Sequence, residues 1–274
     1  MPELPEVETI VRDIRPSLLG RRFGRVALSH DDVLRGVSRR RLLERLRGAE
    51  VHDVFRRAKH AVIDLGAYRL VVQPGMTGSL VVHDEPLPLE AARYAVLRAP
   101  LDNGHELVYD DVRRLGTLLL LDPRGWQAYT SAIGPEPLDP GFTSEALGRA
   151  LARSKQAVKK VIMDQHHLAG VGNIYANEAL FAAGIDPSKP ANRLTPLDHT
   201  RLHAEVRRIL QAAIVSKGST VRDYRTGTGL PGNFQLELLV YEREGEPCVR
   251  CGTRLAGTHE IDGRITVFCY RCQR

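Results

Sequence analysis

The chain has 274 residues, 43% hydrophobic and 26% charged, with a formal net charge of +6 and a pI of about 9.3. That is enough for two domains with cores of their own or one large one, in the balance of a soluble globular protein. No run of ~18 apolar residues is present to cross a bilayer, and the acidic start lacks the apolar stretch of a secretory signal, so a cytoplasmic protein is expected.

Of the 39 basic residues 6 are Lys, leaving 33 Arg. The planar Arg fork suits phosphate oxygens, so the balance leans weakly toward a polyanionic partner. A GC-rich genome would enrich Arg as well, and charge alone names no partner.

Residues 5–18 predict a helix, because Val7, Ile10, Val11 and Ile14 recur at the spacing of one apolar face. Pro5 suits a first turn, and Pro16 with Gly20 marks the end. Glu3 and Glu6, three apart, share a face near the helix start, with Pro2 beside them. From about 22 to 130 short strands take over, for example 61–65, 70–72, 79–82 and 117–121. Gly66, Pro74-Gly75, Asp102-Asn103-Gly104 and Asp122-Pro123-Arg124-Gly125 read as the turns between them. The Arg-rich segment 38–47 is an exception, since Leu42, Leu43 and Leu46 predict a short helix. Many short strands with frequent turns predict a β-sandwich.

Segment 134–141 holds three prolines and reads as a linker, since proline continues neither a helix nor a central strand. Helices are expected beyond it: from Thr143 or Ser144 to about Ala152, over 157–165, from Asn173 to before Gly184, and over about 197–216. The last 40 residues return to strands and hold all four cysteines. The expected class is α+β: a β-sandwich domain flanked by helices over 1–133, a linker over 134–142, a helical domain over 143–234 and a cysteine-bearing module over 235–274.

Initiator Met is commonly removed before a small residue, and its removal here would leave Pro2 as a secondary amine beside Glu3 and Glu6. A free α-amino group titrates near ~7.7–8.0, so part of it is a nucleophile at neutral pH. An amine that attacks an electrophilic carbon and forms an iminium is covalent catalysis of the Schiff-base type. The bland alternative is an acidic helix start.

Cys248-x2-Cys251-x17-Cys269-x2-Cys272 is the strongest spacing signal and matches a tetrahedral four-thiolate zinc site. Disulfides are the alternative, against the reducing cytoplasm. Four ligands close the coordination sphere, so one structural Zn2+ is expected. It would fold a hairpin of 257–261 and 264–268 through Asp262-Gly263, with Arg264 at the tip as a solvated charge or a phosphate contact.

In Gly170-Val171-Gly172-Asn173-Ile174-Tyr175-Ala176-Asn177-Glu178 two helices flank a Gly-containing turn. Asn173 can cap the second helix, whose outward amides accept a phosphate oxygen; an ordinary capped helix hairpin reads the same way. Lys59 sits in the basic cluster Arg56-Arg57-Ala58-Lys59-His60, a pattern that is usually a solvated strand edge.

Three stretches together resemble the formamidopyrimidine-DNA glycosylases, bacterial base-excision repair enzymes. They are Pro2-Glu3-Leu4-Pro5-Glu6-Val7-Glu8-Thr9, the string Val171-Gly172-Asn173-Ile174-Tyr175-Ala176, and the finger residues around Cys248, Cys251, Arg264-Ile265-Thr266 and Cys269-Tyr270-Arg271-Cys272-Gln273. The resemblance covers nearly the whole chain. It implies an N-terminal β-sandwich, then a helical domain with a helix–two-turns–helix motif and a β-hairpin zinc finger, with DNA in a basic cleft between them.

It also implies a bifunctional glycosylase and abasic-site lyase for oxidised purines. Pro2 would be the nucleophile, Glu3 the general acid in a desolvated position, and Glu6 an orienting group. Lys59 would contact phosphate at the lesion and assist chemistry, Asn173 would bind backbone phosphate, and Arg264 would hold phosphate and serve the final elimination. Lys155 and Lys159 match family lysines near the lesion strand, and Arg93 is a further candidate for DNA contact.

An enzyme that extrudes a base must fill the hole left behind. The matching residues are Met76, Arg113 and Leu115, with burial in a sheet core the alternative for Met76 and Leu115. Lys217, Gly218, Ser219, Thr220, Val221, Arg222, Asp223 and Tyr224 resemble the base-capping loop of the purine-lesion branch. The implied partner is double-stranded DNA carrying an oxidised purine or an abasic site. No membrane contact, catalytic metal or organic cofactor is implied, and a monomer is expected.

Two positions depart from the family pattern. Leu115 stands where Phe is usual, so a stacking face worth ~1–3 kcal/mol per base is absent. Gln73-Pro74 stands where His-Leu is usual before Gly75-Met76, which leaves the geometry of the Met76 loop open. Two rival readings share many of these residues: an endonuclease VIII-like enzyme for oxidised pyrimidines, and a DNA-binding repair scaffold without catalysis.

Overall fold

The computed structural model describes residues 1–220 and 224–274. Val221, Arg222 and Asp223, expected in the capping loop, lie outside the described residues. The chain forms two compact units, one of Met1–Ser131 with Ser216–Gln235, the other of Ala132–Val215 with Leu236–Arg274. The segment after the last long helix thus packs with the N-terminal residues rather than with the helices that precede it in the chain.

The first unit starts with helix α1 (Leu4–Leu18), where Val7, Ile10, Val11, Ile14 and Leu18 form the buried stripe that their spacing predicts. A short strand β1 (Ala27–Leu28) and helix α2 (Arg39–Leu46) follow, the latter capped by Ser38 and buried through Leu42 and Leu46. The remaining strands are β2 (Asp53–Arg57), β3 (His60–Asp64), β4 (Arg69–Gln73), β5 (Gly78–His83), β6 (Ala95–Pro100), β7 (Glu106–Asp111) and β8 (Thr117–Leu121). They form two four-stranded antiparallel sheets, ordered β1-β6-β7-β5 and β2-β3-β4-β8. Leu80, Leu97, Leu107 and Tyr109 from one sheet and Val54, Ile63, Leu70, Val72 and Leu118 from the other share one core with the α1 stripe. This is a sandwich closed by a helix.

Helix α3 (Pro123–Ser131) occupies the place where Asp122-Pro123-Arg124-Gly125 predicts a turn. Asp122 Oδ1 accepts from the Gly125 amide at 2.8 Å and Pro123 opens the helix. Asp followed by Pro begins helices as readily as turns, because both need an acceptor for free amides and a φ near that of proline.

The second unit holds α4 (Ser144–Leu151), α5 (Val158–Met163), α6 (Asn173–Ala183) and α7 (Pro196–Val215). Thr143 caps α4 through the Ala146 amide, and Gly184 ends α6 at φ +70°. Strands β9 (Ala256–Thr258) and β10 (Thr266–Phe268) pair antiparallel, with Thr258 opposite Thr266. Both are shorter than expected. The connection is a wider loop, closed by the Gly263 amide on the His259 carbonyl, in place of a two-residue turn at Asp262-Gly263. Among the described residues no helix is long and apolar enough to cross a membrane.

Candidate functional site

In the first unit the chain start is held by its own carboxylates. Glu3 is the N-cap of α1, and Glu6 Oε2 accepts from the Glu3 amide at 2.9 Å, closing a reciprocal capping box. Pro2, Glu3 and Glu6 are all buried, whereas Met1 is 50% exposed. Burial lowers the proton affinity of the terminal amine below the usual α-amino value; Lys59 and Arg113 add to this and Glu3 and Glu6 oppose it. Loss of Met1 would hand that amine to Pro2, one residue deeper in the same surroundings.

Glu6 does more than cap. Its Oε1 accepts from the Ser219 amide at 2.7 Å, and Tyr224 donates to the carbonyls of Glu6 and Lys217, each at 3.2 Å. Burial, with the Glu6 charge, pushes the Tyr224 hydroxyl up and keeps it a donor. Gly218, at φ +79°, lies so close that a Cβ there would sit 3.0 Å from Glu6 Cγ. The described part of the loop over 217–224 is therefore fastened to the chain start.

Lys59 lies in the two-residue turn between β2 and β3, where Arg57 pairs with His60 and Ala58 takes φ +52°. A left-handed first residue matches the twist of a tight hairpin but costs a residue with a Cβ about 1 kcal/mol or more. Arg56 pins the turn, reaching Glu8 of α1 at 2.9 Å and the Ala58 carbonyl at 3.1 Å. On the other side His60 Nδ1 meets the Arg57 carbonyl at 3.1 Å and Nε2 meets the Tyr129 hydroxyl at 3.0 Å. A carbonyl only accepts, so Nδ1 carries the proton and Nε2 accepts from Tyr129. Burial lowers the His60 pKa and holds it in this neutral form. Lys59 itself is 5% exposed.

Met76, Arg113 and Leu115 project from neighbouring loops, after β4 and after β7. Met76 is 39% and Leu115 60% exposed, so neither is the sheet-core residue that the alternative reading supposed. Arg113 is exposed too. Gln73 ends β4 and the next residues turn back at once, the Gly78 amide meeting the Gly75 carbonyl at 3.0 Å. Arg93 is exposed with its guanidinium 5.4 Å from the Tyr94 ring centre.

In the second unit the four cysteine sulfurs lie within 4.8 Å of one another. Cys248 and Cys272 are 3.9 Å apart and Cys251 and Cys269 3.5 Å. A tetrahedron with metal–sulfur bonds of ~2.3 Å has edges of about 3.8 Å, whereas a disulfide needs about 2.05 Å. The cluster fits a four-thiolate metal centre.

The finger is fastened to α6 by polar groups. Gly172, not Asn173, is the N-cap of α6, and Asn173 is its first residue, donating to the Ile265 carbonyl at 3.1 Å. Asn177 accepts from the Val267 amide at 2.8 Å, and the buried Glu178 accepts from the amides of Leu239, Val240 and Tyr241. Lys159 is 0% exposed, with its ammonium 2.7 Å from Thr266 Oγ1 and 3.5 Å from Asp262 Oδ1. It braces the hairpin from within rather than facing solvent. Lys155 and Arg264 are exposed. Arg264 lines a cavity of about 320 Å³ with Ser154, Gln156, Lys160, His167 and Asp262.

Sequence reasoning gave no role of their own to Arg56, Tyr129, Asn177, Glu178 and Lys160. For Lys160 a signal existed: adjacent residues on a helix point about 100° apart, so only one of Lys159 and Lys160 can share the buried face of Val158, Val161 and Ile162.

Comparison with known proteins agrees over the full length. The formamidopyrimidine-DNA glycosylase N-terminal domain matches residues 1–118 and the H2TH domain of the same enzymes matches residues 133–225. A formamidopyrimidine-DNA glycosylase of Stutzerimonas stutzeri is 44% identical over 274 residues, covering 100% of both chains. The crystal structure of MutM (Fpg) from Thermus thermophilus superposes with a TM-score of 0.86 at 37% identity, over 99% of this chain and 98% of that one. The wild-type Lactococcus lactis enzyme, solved with DNA containing N7-benzyl-Fapy-dG, gives a TM-score of 0.89 at 31% identity over 100% of both.

Proposed function

Because the chain belongs to the formamidopyrimidine-DNA glycosylase family, we propose that it excises oxidised purines from double-stranded DNA and then cleaves the abasic site, with Pro2 as the nucleophile. The observation that supports the assignment to Pro2 is its place at the chain start, where it is buried next to Glu3 and Glu6 and where burial and two nearby cations favour the neutral form of the amine that Met1 carries.

The steps follow from that amine. A base inside the stack is unreachable, so the lesion is flipped out and Met76, Arg113 and Leu115 fill the gap. The Pro2 nitrogen attacks C1′ of the deoxyribose. The glycosidic bond breaks and its electron pair leaves with the base. The alkylated nitrogen gives up its N–H proton, which balances the charge on the departing base, and so regains its lone pair; that pair forms the iminium as the C1′–ring oxygen bond breaks and Glu3 gives a proton to the oxygen. Loss of a C2′ proton then expels the 3′ phosphate, and a second elimination expels the 5′ phosphate. Glu6 orients the chain start and, through Ser219, the capping segment. Lys59, Asn173 and Arg264 hold phosphates, with Lys155 and Arg93 as outer contacts. Lys159 serves the site by bracing the hairpin that carries Arg264.

The thiolate cluster holds one structural Zn2+, whose spacing and edge lengths its four sulfurs suit. The enzyme acts as a monomer in the cytoplasm, at the nucleoid.

Borohydride trapping on a duplex with one 8-oxoguanine opposite cytosine, followed by mass spectrometry, tests this. A crosslink on residue 2 with Met1 absent is the expected result. A crosslink formed only with an oxidised pyrimidine would give the substrate to the endonuclease VIII-like reading. Tight binding with no crosslink on either duplex would leave a non-catalytic DNA-binding protein.

A further inference from the structure

The two loops that carry Met76, Arg113 and Leu115 converge on one buried carboxylate. Asp111, the last residue of β7, is 1% exposed. Its Oδ1 accepts from the Thr77 hydroxyl at 2.5 Å, and its Oδ2 accepts from the Gly116 amide at 2.8 Å and the Tyr109 hydroxyl at 3.1 Å. Thr77 Oγ1 in turn accepts from the Arg113 amide at 3.0 Å. Thr77 follows Met76, and Gly116 follows Leu115. Each gap-filling residue is therefore no more than one residue from a bond in this cluster.

The backbones are drawn in as far as glycine allows. A Cβ on Gly75 would stand 2.6 Å from Asp111 Oδ2, and a Cβ on Gly116 would overlap the Tyr109 hydroxyl. No L side chain fits either place without moving the loops apart. Asp111 also pairs with Gly78 across β5 and β7, so the cluster is anchored in the sheet and not in the loops it joins.

We propose that Asp111 and Thr77 are positioning residues that fix the spacing of Met76 against Arg113 and Leu115, and so set which base opposite the lesion the enzyme accepts. This deepens the proposed function and rests on it. Leu115 offers no flat face to the orphaned base, so discrimination falls on Arg113. An Arg donates hydrogen bonds and accepts none, so it separates bases only where its fork is held against their acceptors. The Thr77 hydroxyl, which accepts from the Arg113 backbone amide, supplies that hold.

The test compares wild type with Thr77→Val, which keeps the shape and loses the hydroxyl, and Thr77→Ser, which restores it. Three quantities are read: kcat/KM on 8-oxoguanine opposite cytosine, the same opposite adenine, and cleavage of an abasic site in single-stranded DNA, which has no opposite base. For Thr77→Val we expect the cytosine-to-adenine ratio to shrink by about tenfold, the scale of a buried hydrogen bond to a charged group. Single-strand cleavage is expected to stay unchanged, and Thr77→Ser to recover the ratio. An unchanged ratio in Thr77→Val overturns the inference, as does an equal loss on single strands and duplexes, which would signal general damage. Wild type that traps no adduct sinks the catalytic reading instead. The spacing role is then decided by whether Thr77→Val alters binding preference between the two opposite bases on duplexes carrying a tetrahydrofuran abasic analogue.

Discussion

In the proposed mechanism the chemistry turns on Pro2, whose pyrrolidine nitrogen carries its lone pair in a rigid ring next to Glu3, the residue that the capping box with Glu6 fixes. Pro2→Gly keeps a terminal amine but frees it. A displaced nucleophile costs on the order of a hundredfold, and single-turnover excision of 8-oxoguanine should fall by about that much. Wild-type turnover would remove Pro2 from the mechanism. The terminal amine also makes a prediction in pH. Burial lowers the proton affinity of the amine on Met1, and a Pro2 amine exposed by loss of Met1 in the same buried surroundings is expected to stay neutral to lower pH than a free α-amino group. The acid limb of the trapping rate should lie below the usual α-amino value of ~7.7–8.0. A limb at or above that range would mean the amine is solvated.

At the scale of elements, close packing of backbone on backbone makes sharp demands. Gly116→Ala places a methyl against the Tyr109 hydroxyl and within 2.6 Å of the Gln73 carbonyl, in a strand junction that cannot yield cheaply. Overpacking of this kind costs about 1–3 kcal/mol, readable as a lowered urea midpoint with unchanged slope; a stable variant would show that the loop opens freely. The finger is held differently. Its buried core consists of Phe181, Val240, Leu255 and Val267 with Cys248 and Cys269, too little apolar surface to order the segment alone. If the thiolate cluster holds the proposed Zn2+, chelation should unfold the finger and abolish DNA binding while the sandwich remains folded. Retained binding after verified metal loss would contradict this.

For the whole molecule the basic excess predicts steep salt dependence. Each phosphate contact contributes about 0.9 log unit per decade of salt. Arg264→Ala should lower the slope of log K against log salt by about that amount, with little change in preference among opposite bases. Arg264 is exposed at the hairpin tip, where its backbone amide rather than its guanidinium bonds to Asp262, so the variant should fold normally. An unchanged slope would move the phosphate contact elsewhere, Lys160 being the neighbouring candidate.

Patterns with a short period are legible in the sequence alone. The stripe of Val7, Ile10, Val11 and Ile14 defines α1, short strands between turns define the sandwich, and paired CxxC knuckles define the thiolate cluster. Each is local, since a helix face, a strand face and a chelating turn all repeat within a few residues. The Asp122-Pro123 signal is local too but ambiguous, and the tertiary structure resolves it as a helix start, with Trp126 edge-on to Phe55 and Tyr129 bonded to His60. Lys159 and Lys160 are alike in sequence, yet one is buried against Thr266 and the other lines a cavity. Glu6 meets the Ser219 amide across 213 residues, and Thr77 meets Asp111 across 34. Such partners share no period and no spacing. Their meeting follows from strand register and chain return, and those are decided when the hydrophobic faces are buried together.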